Sequence, residues 1–343
     1  LKIGRGISLL LILVLAGCVI SPRRTVVSGG GGGGNAQGKL YVSNDSNNSI
    51  VRFDNAFTAN NDVTPGAVIS GSATQLSNPQ YLFLDTAADR LFVANANASS
   101  ILVFDTVSTK TGNAAPTRVI TSGSLGTPTD VALDKGRDLL YVADTNQVLV
   151  FANASTVTGT TIPARSIQPG FTPGAILIDA ASDRLFATDP TTNSINIFDG
   201  ASTLNGTVLV SRRLVGSNTQ LAQPFGLQID TAGRLVVANF APASITIYAN
   251  AATTNGNLAP VATISGSNTT LAGPTQITIN TVASGGELFV ADPFGGNVPV
   301  FANIGSVTGN QNIAPTRNIT GSNTTITGTT SATGRGVAID TTR

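Results

Sequence analysis

Histidine, tryptophan and methionine are all missing from the 343 residues, and each absence removes a class of function. Without histidine the chain has no imidazole general base, no His-containing triad and no His-ligated zinc or haem. The lack of methionine extends to position 1, which is leucine; this reads as an unusual start codon or as a fragment that begins internally. Glutamate occurs once, at Glu287, and cysteine once, at Cys18. Charge is scarce as well: 11% of residues are Asp, Glu, Lys or Arg, where about 25% is usual for a soluble domain. A net charge of +1 supplies no basic field for nucleic acid. So weakly charged a surface has little self-repulsion, which suggests cover by a partner or closeness to a matrix.

Gly, Ser, Thr, Asn and Ala fill the space left by the charged residues, with 14 Phe among them. That composition favours β-structure with many tight turns. The length is ample for a large core.

Residues 1–18 stand apart. Lys2 and Arg5 precede an apolar stretch from Ile7 to Leu15, too short to span a bilayer, which ends in Leu15-Ala16-Gly17-Cys18. Other readings are an ordinary signal peptide with an incidental cysteine, or a short membrane helix. The quartet resembles the lipobox of bacterial lipoproteins. The resemblance implies cleavage after Gly17, acylation of Cys18, and a chain whose folded part carries no thiol. Two or three acyl chains anchor stably where one is marginal. No Asp follows Cys18, and in a Gram-negative host the lipoprotein pattern then implies the outer membrane. Removing 1–17 takes away Lys2 and Arg5, leaving 17 basic against 18 acidic residues, a net of −1. Residues 18–38 include six consecutive glycines, Gly29 to Gly34, which behave as a flexible tether.

From residue 39 to 343 the chain repeats at intervals of roughly 50 residues. One unit reads Leu82-Phe83-Leu84-Asp85, then Arg90-Leu91-Phe92-Val93-Ala94-Asn95, then Ile101-Leu102-Val103-Phe104-Asp105, then Thr117-Arg118-Val119-Ile120. The third strand carries an aromatic residue in every unit: Phe53, Phe104, Phe151, Phe198, Tyr248 and Phe301, expected as core between units. Four short antiparallel strands per unit, separated by turn signals, describe a β-propeller blade, and the count is six. Gly336-Val337-Ala338-Ile339-Asp340 is a first strand without followers, while the N-terminus begins with the other three. An all-β, six-bladed β-propeller therefore closes by pairing this C-terminal, innermost strand with three N-terminal strands. The stretch from Pro128 to Phe151 resembles an NHL repeat, and Arg90 to Asp105 resembles the YVTN-type surface propellers. The resemblance implies the propeller and leaves function open, since such propellers serve as binding platforms, scaffolds and, less often, enzymes.

Second strands end at Asn44, Asn95, Asp144, Asp189, Asn239 and Asp292. In the propeller layout these positions ring one mouth of the channel. They are candidates for a rim that binds a carbohydrate, peptide or cation, or else for side chains that bond their own turns. Two adjacent loops break the pattern with Phe240 and Phe294, candidates for a small apolar contact patch. The segment 324–333 lengthens the last connection, as a lid or as slack for closure. The Gly-Asn-x-Ala-Pro loops read as hairpin chemistry, Arg212-Arg213 as a solvated strand edge, and Asn-x-Ser/Thr triplets such as Asn97, Asn153, Asn268 and Asn323 as turns rather than glycan acceptors.

Two functional readings follow. The first is a lipid-anchored, non-enzymatic envelope module, with no cofactor, that binds a protein or glycan or joins a surface assembly as an accessory subunit. The alternative is a calcium-assisted hydrolase or lactonase using Asp and Asn at the channel mouth. Gluconolactonase-type propellers resemble this chain in blade number but use a Glu at the channel. Glu287 begins a second strand and lies at the opposite end.

Overall fold

The computed structural model describes residues 37–328 and 335–343; Cys18, the glycine tether and residues 329–334 lie outside the described residues. Six antiparallel sheets form, each ordered from its innermost strand outward. Blade 1 combines Val337–Asp340 with Lys39–Asn44, Ser49–Phe53 and Ala67–Ser70. Blades 2 to 6 occupy residues 79–121, 130–168, 176–214, 224–265 and 277–320. Among the described residues no helix is long and apolar enough to cross a membrane.

The strands are apolar on both faces because each blade packs against two neighbours. Six core clusters result, each shared by consecutive blades: Phe92 and Ile101 of blade 2 meet Leu140 and Val142 of blade 3. The last cluster joins Phe289 and Val298 of blade 6 to Leu40 and Val51 of blade 1, so the core is a closed ring. All six third-strand aromatics are buried in it. Each fully buried large apolar side chain contributes about 1.5–3 kcal/mol.

Closure follows the expected register, with Lys39 opposite Asp340, Leu40 opposite Ile339 and Tyr41 opposite Ala338. Just before this strand, Gly336 N–H donates to Ser43 Oγ (2.6 Å) and Ser43 N–H donates back to Gly336 O (3.0 Å). The chain here runs so close to blade 2 that a Cβ on Gly336 would lie 2.8 Å from Gln80 O and Leu82 N. Only glycine fits. The last residue completes the clasp, with the Arg343 guanidinium donating to Asp340 and to Thr86 O of blade 2.

The third-to-fourth connections depart from the sequence reading. They are not simple hairpins: each crosses to the preceding blade and pairs in parallel with its outer strand. Gly159 pairs with Ile120, Gly206 with Ile167 and Gly309 with Ala262. Gly112, Gly256 and Asn61 make the same contact as single bridges to Ile69, Leu214 and Ile319. All six pairing residues have positive φ, from 54° at Asn61 to 71° at Gly159, which explains five glycines and one asparagine at this position. Every outer edge is thereby bracketed.

Arginines at the start of fourth strands tie the ring further. Arg118 donates to Ala154 O and Val157 O of the next blade, Arg165 to Ala201 O and Leu204 O, and Arg317 to Ala56 O. Arg212 does the same with Ala252 O while pairing with Asp199. It is an inter-blade clasp, not a solvated edge; Arg213 caps Thr192 and Ser194.

Candidate functional site

The six residues that end the second strands are buried, none more than 3% exposed. Five of them hold the connection that enters their own blade. Asn95 Oδ1 accepts from Ser77 N–H (2.7 Å) and its Nδ2 donates to Gln75 O (3.0 Å). Asp144 accepts from Gly126 N–H, Asn239 from Ala222 N–H, and Asp292 from Ala272 and Gly273 N–H. Asn44 donates to Thr325 O and accepts from Thr327 N–H, which pins the described part of the 324–333 segment to blade 1. Asp189 bonds only its own turn, accepting from Thr191 and Thr192 N–H, and Asp292 adds a bond of this kind from Gly295 N–H. These side chains therefore act as internal struts, bonded to the backbone of the connections. Among the described residues no three His, Cys, Asp or Glu side chains converge as metal ligands. Glu287 is tied to Arg317 at 2.6 Å and to Asn280 at 2.9 Å.

A second set of residues leads into the innermost strands. They follow the proline that ends each connection: Gln80-Tyr81 after Pro79, Thr129-Asp130 after Pro128, Gly174-Ala175 after Pro173, Phe225-Gly226 after Pro224 and Thr275-Gln276 after Pro274. Arg335-Gly336 fills the sixth place. No two of these pairs are alike. The signal for them in the sequence is the proline that precedes each pair, on which the repeats align.

This ring plugs the channel. Gln276 of blade 6 crosses to blade 2, where its Nε2 donates to Leu82 O (3.0 Å) and its Oε1 accepts from Leu82 N–H (3.1 Å). The same oxygen accepts from Val337 N–H of blade 1 (2.8 Å). Asp130 is buried, accepting from its neighbour Val131 N–H (2.8 Å) and from Ile176 N–H of blade 4 (2.9 Å). Burial pushes its carboxyl up to about 7, against the pull of those two N–H groups. Nearby, Tyr81 is buried and its phenol is raised by desolvation and by the Asp130 carboxylate. Arg335 is fully buried near Asp45 and Asp292; desolvation lowers its guanidinium to about 10, opposed by both carboxylates. What remains inside the ring is a cavity of about 130 Å³ lined mostly by the innermost strands.

Phe240 and Phe294 come together as expected, with ring centroids 4.8 Å apart and an interplanar angle of 74°. Phe225, which sequence reading missed, extends the row edge-on to Phe240 at 5.8 Å. Phe240 is buried and Phe294 is 41% exposed. On the other side of Phe225 lies an apolar hollow of about 190 Å³, lined by Tyr81, Pro173, Pro190 and Phe225. The outcome is a strip of rings and prolines beside the plugged mouth.

No family model matches the chain, and no curated protein sequence matches it. Similarity appears among solved structures. A chain in the crystal structure of a nidogen/laminin complex superposes with a TM-score of 0.58 at 16% identity, covering 88% of this chain and 98% of that one. A functionally unknown protein from Desulfotomaculum acetoxidans DSM 771 gives a TM-score of 0.49 at 14% identity, over 77% of this chain and 75% of that one. The first likeness is one of fold alone, that of a β-propeller.

Proposed function

We propose that the chain is a lipid-anchored propeller of the cell envelope, of NHL or YVTN type, that binds an envelope protein without chemistry and serves as an accessory subunit of a surface assembly. The observation that carries this reading is the aromatic strip. Phe294 stands 41% exposed on a row of phenyl rings that leads to an apolar hollow, and among the described residues it is the aromatic one of the exposed large apolar side chains, the others being the aliphatic Ile162, Leu209, Leu258, Val261 and Val282. Such a ring-and-pocket arrangement suits one or two large apolar anchors of a partner, the usual centre of a protein interface. The anchor is acylated Cys18 and the leash is the glycine run, placing the domain at the outer membrane.

The test is a mild-detergent pull-down from native membranes with mass spectrometry, run on the wild type and on Phe294→Ser. A partner captured by the wild type and lost by the variant, with both proteins folded, is the expected result. Identical captured sets, or a protein that remains monomeric and captures no envelope component, would sink the reading. Metabolic labelling with a radiolabelled fatty acid checks the anchor: label incorporated by the wild type should vanish in Cys18→Ser.

A further inference from the structure

The repeats are not equivalent on the mouth side, and the inequality is confined to two neighbouring connections. After blades 1, 4, 5 and 6 the chain makes the same short helical turn, Ser72–Thr74, Ser217–Thr219, Ser267–Thr269 and Ser322–Thr324. In each, the threonine hydroxyl donates to the preceding glycine carbonyl. The middle residue's N–H is capped by an Asn or Asp from the next blade's bracket: Asn113, Asn257, Asn312 and Asp62. Turn and clip together roof the edge of the mouth.

After blades 2 and 3 both halves of the device are missing. The connections read Ser122-Gly123-Ser124-Leu125-Gly126 and Pro169-Gly170-Phe171-Thr172, and neither forms the turn. The brackets that would supply the clip carry Thr160 and Thr207 instead of Asn. A groove of about 780 Å³ opens where the roof is lost, between these two connections. A second, of about 510 Å³, lies on the other flank of Phe171. Both share Gly170, Phe171 and Thr172, so Phe171 forms the ridge between them, its ring partly buried against the core of blades 3 and 4.

The lining decides the ligand class. No Lys, Arg or Glu lines the larger groove, and its one acid, Asp144, is 2% exposed with its oxygens held by Gly126 N–H and Gln147 Nε2. Among the described residues, the side chains of Thr145, Gln168 and Thr207 make no hydrogen bond, and Gln168 and Thr207 are exposed. In the larger groove, amide and hydroxyl groups beside an anchored aromatic ring, without a free charge, match a neutral polyhydroxylated ligand, with hydroxyls for the polar groups and a ring C–H face for Phe171; on the smaller groove's side stands Arg213, bonded to Thr192 and Ser194. An extended peptide would seek an unpaired strand edge, and every outer edge is already bracketed. We infer that the cleft over blades 3 and 4, ridged by Phe171, binds a neutral oligosaccharide. This site adjoins the apolar hollow at the end of the aromatic strip, with which it shares Thr172, and it stands without Phe294.

Saturation-transfer NMR and calorimetry on the full-length, detergent-solubilised protein test the assignment. The probes are neutral malto-, cello-, manno- and N-acetylchito-oligosaccharides, with oligogalacturonate as the anionic control. At least one neutral probe should bind and the anionic one should not. Phe171→Ala should weaken binding at least tenfold, and the exposed-site variants Gln168→Ala and Thr207→Ala roughly three- to tenfold each, while Phe294→Ser leaves it unchanged. The two exposed-site variants keep the test intact if loss of the Phe171 ring disturbs folding. No binding by any neutral probe, equal binding of oligogalacturonate, or binding indifferent to Gln168 and Thr207 would overturn the proposal. Loss of a protein partner in Phe294→Ser with saccharide binding intact would separate the two surfaces.

Discussion

Gln276 of blade 6 reaches past the innermost strand of blade 1 and makes a two-way amide pairing with Leu82 of blade 2, accepting its N–H at 3.1 Å and donating to its carbonyl at 3.0 Å. Because the same oxygen also takes Val337 N–H, one side chain joins blades 6, 1 and 2. Substituting Gln276→Leu keeps the approximate volume and orphans two backbone donors and one acceptor. Each orphaned buried group costs about 1–3 kcal/mol. A urea or thermal denaturation series should show a loss of that order, and an unchanged midpoint would remove Gln276 from its bridging role.

Asn95 separates the strut from the rim. Fully buried, it accepts from Ser77 N–H and donates to Gln75 O and Ser100 Oγ. Asn95→Ala should destabilise the domain by ~1–3 kcal/mol, since it leaves buried groups unpaired. Phe294→Ala, at a partly exposed position, should cost less, about 0.5–1.5 kcal/mol for the lost edge-on contact with Phe240. Equilibrium unfolding of both variants against the wild type provides the comparison, and a stable Asn95→Ala protein that lost ligand binding would return the side chain to the rim.

The pH dependence of stability should carry the mark of Asp130. Its folded pKa of about 7 stands above the ordinary value of 3.8, so the folded state binds more protons between those limits. Its contribution is fully present below about pH 4 and is lost as pH rises through 7. Burial raises the Asp45 and Asp292 carboxyls too, and both act in the same direction. Melting temperature should therefore fall between pH 5 and 8, and Asp130→Asn should flatten that slope. A wild-type melting temperature that climbs over the same interval would contradict the sign.

Removal of residues 335–343 deletes the strand Val337–Asp340 and with it Arg335, Gly336 and the Arg343 clasp on Thr86 O. The remaining three strands of blade 1 would expose an edge, and the core cluster joining blades 6 and 1 would lose Val337 and Ile339. The expected result is loss of most of the domain's stability, on the order of 5–15 kcal/mol, seen as early melting and rapid proteolysis throughout residues 39–334. A truncated protein as protease-resistant as the full chain would show that the ring does not depend on its closing strand.

Blade number, strand order, closure register and the burial of Phe53, Phe104, Phe151, Phe198, Tyr248 and Phe301 were legible in the sequence because each is a local pattern repeated six times. Repetition makes a weak local signal strong, and an orphan strand at one end with its followers at the other admits one ring. Individual side-chain roles were not legible, because they depend on neighbours far away in the chain. Asn44 meets Thr325 across 281 residues, and Gln276 meets Leu82 across 194. The regular Asn and Asp positions admitted a ligand rim or self-bonded turns, and most of their side chains bond the incoming connection instead, while the bracket loops looked like hairpins and proved to be inter-blade pairs. Phe240 and Phe294 were placed together correctly because they sit at like positions in successive repeats; Phe225 joined them only in three dimensions. The repeat fixes what is common to all blades. Which departures from it converge on one surface is decided by the closed ring, where long-range packing and the satisfaction of buried backbone groups set every side chain's direction.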